Sequence, residues 1–257
     1  MEELTLQINK EKVETSKGVV EYSVCGSGEP NIILINGGSG PIEGWMKVLE
    51  DVSNLSSVFC YNRLGVGGSD KPQENQDGIT IIETLRETLS LIAIDPPYVI
   101  VGHSLGGLYA NLFARLYPDE VAAIVFLEAS HPEDMKLDEY QGKIIKTINK
   151  LLSIFDSLSQ QKKLGEVHFV KETINQINLH EAFPDIPLYV ITGTKENRLM
   201  PKEALTIRRK NQLDLLSLTS YSKQTFADNS GHFPQLTDSN IVIQVIDKAV
   251  QKIKENC

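Results

Sequence analysis

The chain has three cysteines in 257 residues, an excess of acidic over basic side chains, no internal repeat and no apolar run long enough to span a bilayer. Each shortage closes off a class of protein. Cys25, Cys60 and Cys257 are odd in number and match no metal-ligand spacing, and Cys60 reads as a small core residue. Neither disulfides nor metal are needed, because a chain of this length buries enough surface to hold one large domain. Against 34 Asp and Glu stand 25 Lys and Arg, a formal net charge of -9. That field repels phosphates, so nucleic acid is not an expected partner. The opening residues lack a basic stretch followed by an apolar core, so a cytoplasmic protein without a membrane partner is expected. Phosphate cradles are missing too. Two glycine-rich loops, residues 36–41 and 62–70, carry neither the Lys-Ser/Thr ending of a P-loop nor G-x-G-x-x-G opening into a helix. No cofactor is expected.

What is present is an alternation of short apolar strands and amphipathic helices. Residues 4–8 alternate apolar and polar, and with residues 18–24 they read as an antiparallel hairpin at a sheet edge. Residues 32–35, 58–61, 98–101, 121–127 and 186–191 are continuous apolar runs of the kind buried on both faces of a parallel sheet, with a last strand at 223–227. Helical spacing is predicted over 42–52, 79–94, 201–218 and 239–253. Asp95-Pro96-Pro97 stops the second of these. The pattern changes over residues 133–183, which show helical periodicity and no strand. They are read as a helical cap inserted into a core made of residues 1–132 and 184–257.

The centre of the chain is Gly102-His103-Ser104-Leu105-Gly106-Gly107, between an apolar strand and a helix that Pro118 follows. Small residues flanking Ser104 allow a turn sharp enough to lift one hydroxyl out of the sheet. There the free N–H groups of the first helical turn stabilise negative charge. A serine hydroxyl needs a base, and histidine suits that task. Of five histidines His232 is the strongest candidate, in a loop after the last strand, preceded by Gly231 and followed by Pro234. His103 should point away in its sharp turn. His131 is a candidate pocket residue, and His168 and His180 read as solvated.

Taken in order, Ile32-Ile33-Leu34-Ile35-Asn36-Gly37-Gly38, Arg63-Leu64-Gly65-Val66-Gly67-Gly68-Ser69, the Ser104 turn and Ser230-Gly231-His232-Phe233-Pro234 resemble the α/β-hydrolase superfamily over nearly the whole chain. The resemblance implies an eight-stranded, mostly parallel sheet with helices on both faces. It also implies oxyanion donors at the backbone of Gly38 and Leu105. Asn36 and Asn62 depart from the usual histidine and aspartate, which blurs the subfamily. Relatives carry the acid after either of two strands, which here means Glu128 or Glu196. Glu128 is favoured, because an acid ending a fully apolar strand needs a partner; Asp228 ranks third. The expected function is hydrolysis of an ester or thioester of a small to medium, mostly apolar acyl substrate. Carbon–carbon bond or lactone hydrolysis would use the same residues. A catalytically silent ligand-binding protein is the alternative of a different class.

Overall fold

The computed structural model describes residues 8–136, 164–180, 182–195 and 202–255. Eight strands form one sheet: β1 (Glu11–Thr15), β2 (Gly18–Cys25), β3 (Asn31–Ile35), β4 (Val58–Asn62), β5 (Tyr98–His103), β6 (Val121–Leu127), β7 (Leu188–Gly193) and β8 (Ser222–Ala227). Their spatial order is β1-β2-β4-β3-β5-β6-β7-β8. The β1–β2 and β2–β4 pairs are antiparallel and all others parallel. The chain leaves β3 for β4 on one side and returns to β5 on the other. A crevice therefore opens beyond the carboxyl ends of β3 and β5, where open α/β sheets place their sites.

Alternate residues feed the two faces of the sheet. Ile33, Ile35, Ile100, Ile124 and Phe126 pack with helices α2 (Gly78–Leu91), α3 (Gly106–Leu116) and α4 (Val170–Leu179). Ile32, Leu34, Val99, Val101 and Val125 pack on the opposite side. There they meet Trp45, α1 (Leu49–Ser53) and the long α7 (Ser239–Lys254), which follows α5 (Lys202–Asp214) and the single turn α6 (Pro234–Thr237). Asp77 caps α2 by accepting from the Thr80 N–H at 3.0 Å, satisfying one of the orphan donors of its first turn.

Two sequence expectations are corrected. The partner of β2 is Glu11–Thr15 rather than residues 4–8, of which only Ile8 is described. EKVET has one apolar residue and lies at the sheet edge, so its strand state comes from pairing with β2 and leaves no hydrophobic alternation. The expected helix over 42–52 is a tight 3-10 turn, Ile42–Trp45, followed by the short α1. Asn36 Nδ2 donates to Pro41 O at 2.7 Å, and a side chain on Gly44 would lie 2.9 Å from Asn36 Oδ1. This turn is pinned against the end of β3. Of the segment read as a cap, residues 137–163 lie outside the described residues. Its later part, α4, packs on α2 and α3, with Ile174 and Ile177 in the shared apolar cluster.

Candidate active site

Ser104 stands at the end of β5, immediately before α3, with φ of 50°. That left-handed conformation is costly for a residue with a Cβ, and here the surroundings impose it. Its N–H donates to Leu127 O at 3.2 Å, and its carbonyl accepts from the N–H groups of Gly107 and Ser130, each at 2.9 Å. A Cβ on Gly102 would stand 2.6 Å from Gly106 O, and one on Gly106 would collide with the carbonyl oxygens of Ile35 and Asn36. The G-x-S-x-G glycines are thus places where strand, helix and the neighbouring β3 touch backbone to backbone.

His232 reaches this serine from the loop between β8 and α6. Its Nε2 is 3.0 Å from Ser104 Oγ, and its Nδ1 faces Glu128 Oε2 at 3.5 Å. Glu128 ends β6, also in a left-handed conformation with φ of 45°. Its side chain is 5 % exposed. Oε1 accepts from the Gly193 N–H at 2.7 Å. Oε2 accepts from Arg208 Nε at 3.0 Å and Nη2 at 2.7 Å. The structure therefore brings Ser104, His232 and Glu128 into one line from three distant segments. Asp228 is exposed and accepts from the Thr194 hydroxyl at 3.0 Å, and Glu196 lies outside the described residues.

Arg208 is the neighbour that sequence reasoning missed. Besides holding the Glu128 carboxylate, Nη2 donates to Glu128 O at 2.9 Å and lies 3.1 Å from His232 Nδ1. Nη2 has two hydrogens, and the two oxygens of Glu128 take both. The approach to Nδ1 is then a contact between two donors, and Nδ1 keeps its proton for Glu128. Nε2 is left as the acceptor facing Ser104. Burial alone would raise the Glu128 carboxyl, but Arg208, His232 and the Gly193 N–H hold it down at about 2. Burial lowers the His232 imidazole and Arg208 lowers it further, outweighing the pull of Glu128. The base is neutral, and the acid behind it ionised, over a wide span of pH.

His103 corrects an expectation. Its ring does not turn away from the site: Nε2 donates to His232 O at 2.8 Å and supports the histidine loop from beneath. Burial, with the adjacent His232, pushes its imidazole down to about 3. His131 is paired with Asp214, Nε2 to Oδ2 at 3.0 Å, and accepts from the Glu133 N–H at Nδ1. His168 and His180 are both exposed.

The loop of residues 36–39 lies against Ser104, since a Cβ on Gly37 would be 3.1 Å from Ser104 Cβ. Among the described residues, no acceptor is paired with the N–H of Gly38 or of Leu105. Behind the loop is a buried ion pair. Arg63 donates from Nε and Nη2 to Glu166, from Nη1 to Asn36 O at 3.0 Å, and from Nη2 to Gly37 O. Glu166 gave no signal in the sequence, being one charge in a polar stretch. Among the described residues, no group of three or more His, Cys, Asp or Glu side chains is arranged to hold a metal ion.

Comparison with known proteins gives this geometry a context. A family model described as alpha/beta hydrolase fold matches residues 30–166, more than half of the chain. The chain belongs to the α/β-hydrolase family. The rat protein 1-acylglycerol-3-phosphate O-acyltransferase ABHD5 (Rattus norvegicus) is 26% identical over 168 residues, covering 61% of this α/β-hydrolase and 48% of the rat chain. Human (lyso)-N-acylphosphatidylethanolamine lipase is 28% identical over 104 residues, 38% of this chain and 29% of that one. The chain thus spans about half or less of the length of these curated relatives. Among solved structures, mouse alpha/beta hydrolase domain-containing protein 10 superimposes with a TM-score of 0.71 at 19% identity, covering 95% of this hydrolase and 99% of the mouse chain.

Proposed function

We propose that this α/β-hydrolase is a serine hydrolase that cleaves an ester or thioester bond of a small to medium, mostly apolar acyl substrate through an acyl-enzyme. The observation that carries the reading is the 3.0 Å contact of Ser104 Oγ with His232 Nε2, backed by Glu128. His232 takes the Ser104 proton as Oγ attacks the acyl carbonyl, and Glu128 stabilises the imidazolium that forms. The N–H groups of Gly38 and Leu105 donate to the oxyanion. His232 then returns the proton to the leaving oxygen or sulfur, and water repeats the sequence to free the acid. The names of the curated relatives, a lipase and an acyltransferase, fit acyl transfer as the reaction class.

The test is a short-chain p-nitrophenyl ester assayed with the wild type and Ser104→Ala. A nitrophenol burst followed by turnover is expected, with loss of the burst and at least a thousandfold lower kcat in the variant, on the order of what removing such a nucleophile costs. Saturable binding of the ester without turnover in the wild type would instead favour a ligand-binding protein.

A further inference from the structure

The Arg63–Glu166 pair is buried, joins residues far apart in sequence, and is not used in the steps above. Arg63 is 4% and Glu166 6% exposed. Removing two charges from water is expensive unless every donor and acceptor is paired. Here the carboxylate is fully engaged. Oε1 accepts from Arg63 Nη2 at 2.9 Å and from the Ser39 N–H at 2.6 Å. Oε2 accepts from Arg63 Nε and from the Tyr109 hydroxyl at 3.2 Å. The guanidinium in turn holds Asn36 O and Gly37 O.

One ion pair thus fixes three backbone groups in a row of four residues, and the Gly38 N–H is among the groups it leaves unclaimed. In a trans peptide the C=O and the following N–H point in opposite directions across a rigid plane. Fixing Gly37 O on Arg63 therefore directs the Gly38 N–H away from the guanidinium. Ser39, on the other side, is held by Glu166 in a left-handed conformation with φ of 53° that a serine does not choose unaided.

Resting on the hydrolase reading above, we infer that Glu166 is a positioning residue of the oxyanion site: with Arg63 it clamps the backbone of residues 36–39 so that the Gly38 N–H is presented to the developing oxyanion. Glu166 belongs to the turn Glu166–Phe169 that leads into α4, not to the sheet. The oxyanion site is complete only when that turn is docked on the loop after β3. Chemistry at Ser104 is thereby coupled to the segment that follows residue 163.

The test compares wild type, Glu166→Gln and Tyr109→Phe. Glu166→Gln keeps the volume and removes the charge, while Tyr109→Phe removes one of the four donors to the carboxylate and leaves the ion pair intact, so at least one variant folds. Folding is verified by circular dichroism. Each is assayed with a p-nitrophenyl ester, with butylboronic acid as a tetrahedral adduct at Ser104, and with the product carboxylic acid as a planar ligand. The expected result is a kcat lowered about 10- to 100-fold in Glu166→Gln and severalfold in Tyr109→Phe, with KM within about threefold, since loss of one oxyanion donor costs about 100- to 1,000-fold. Affinity for the boronic acid should fall by the same factor as kcat/KM, and affinity for the product acid should stay constant. Unchanged kcat and boronic-acid affinity in the folded variants, or equal loss of both ligands, would overturn the inference while an active wild type sustains the hydrolase reading. A wild type that neither turns over the ester nor is labelled at Ser104 by a fluorophosphonate would overturn both.

Discussion

Glu128 and Arg208 compete for the role of neighbour to His232. Arg208 contacts Glu128 at 2.7 Å, closer than the 3.5 Å from the imidazole to the same oxygen. The arginine therefore anchors the acid and also opposes positive charge on the base. In Glu128→Gln, Arg208 loses its counter-charge and His232 the group that stabilises imidazolium. A kcat/KM lower by about 100-fold or more is expected, whereas Glu196→Gln should retain wild-type rates; kinetics of the two variants side by side check this. Arg208→Gln has a different signature. The charged groups nearest His232 are Glu128, Arg208 and Asp134, with the neutral His103 beneath. Removing the guanidinium lets the imidazole pKa rise, so its proton is held to higher pH. The acid limb of the kcat/KM profile should then move to higher pH, and a pH-rate series on the two proteins reads the displacement.

Helix α5 shows why part of the site was hidden in the sequence. Arg208, Asn211 and Gln212 share one face of it, at the spacing that puts side chains above one another. They bind Glu128, Asp134 and Ala129 O, stitching the helix to the tail of β6. A helix docked by polar groups has no apolar stripe, so its site-facing side could not be told from a solvated one. The same holds for Glu166, whose burial depends on contacts more than 100 positions away. By contrast the apolar strands, the Ser104 turn and the histidine loop were legible, because continuous hydrophobic runs and glycines at close backbone contacts leave a mark in composition. The start of α3 gives the element's own test. In Gly106→Ala the new methyl meets the carbonyl oxygens of Ile35 and Asn36, which belong to backbone and cannot rotate aside. A stability loss of about 1–3 kcal/mol or more is expected from the urea midpoint, with activity falling further because the displaced loop carries Gly38.

At the scale of the whole molecule, the buried site makes stability depend on pH. In the unfolded chain His103 titrates near 6.5, whereas in the fold it is held down at about 3. Between those values the unfolded state binds a proton that the native state refuses. The stabilisation is therefore complete above about pH 6.5 and declines as the pH falls towards 3. Glu128 acts in the same direction lower down, between 4.5 and about 2. Urea midpoints should fall steadily from pH 7 to pH 4. His103→Gln, which retains a donor for His232 O, should flatten that decline, and parallel urea titrations measure it.

The sheet is also asymmetric in how it ends. One flank finishes in the antiparallel β1–β2 hairpin and the other in the parallel β7–β8 pair, and among the described residues neither β1 nor β8 pairs with a further strand on its outer side; β8 is the edge next to the histidine loop. Its row of main-chain groups is a template on which another extended chain could lengthen the sheet. Two features of the strand discourage such growth: it is only six residues long, and it projects the exposed Lys223 near its start. A second copy adding a strand along that flank would lie next to the loop that carries His232, which follows β8 directly, so self-association there should be felt at the site.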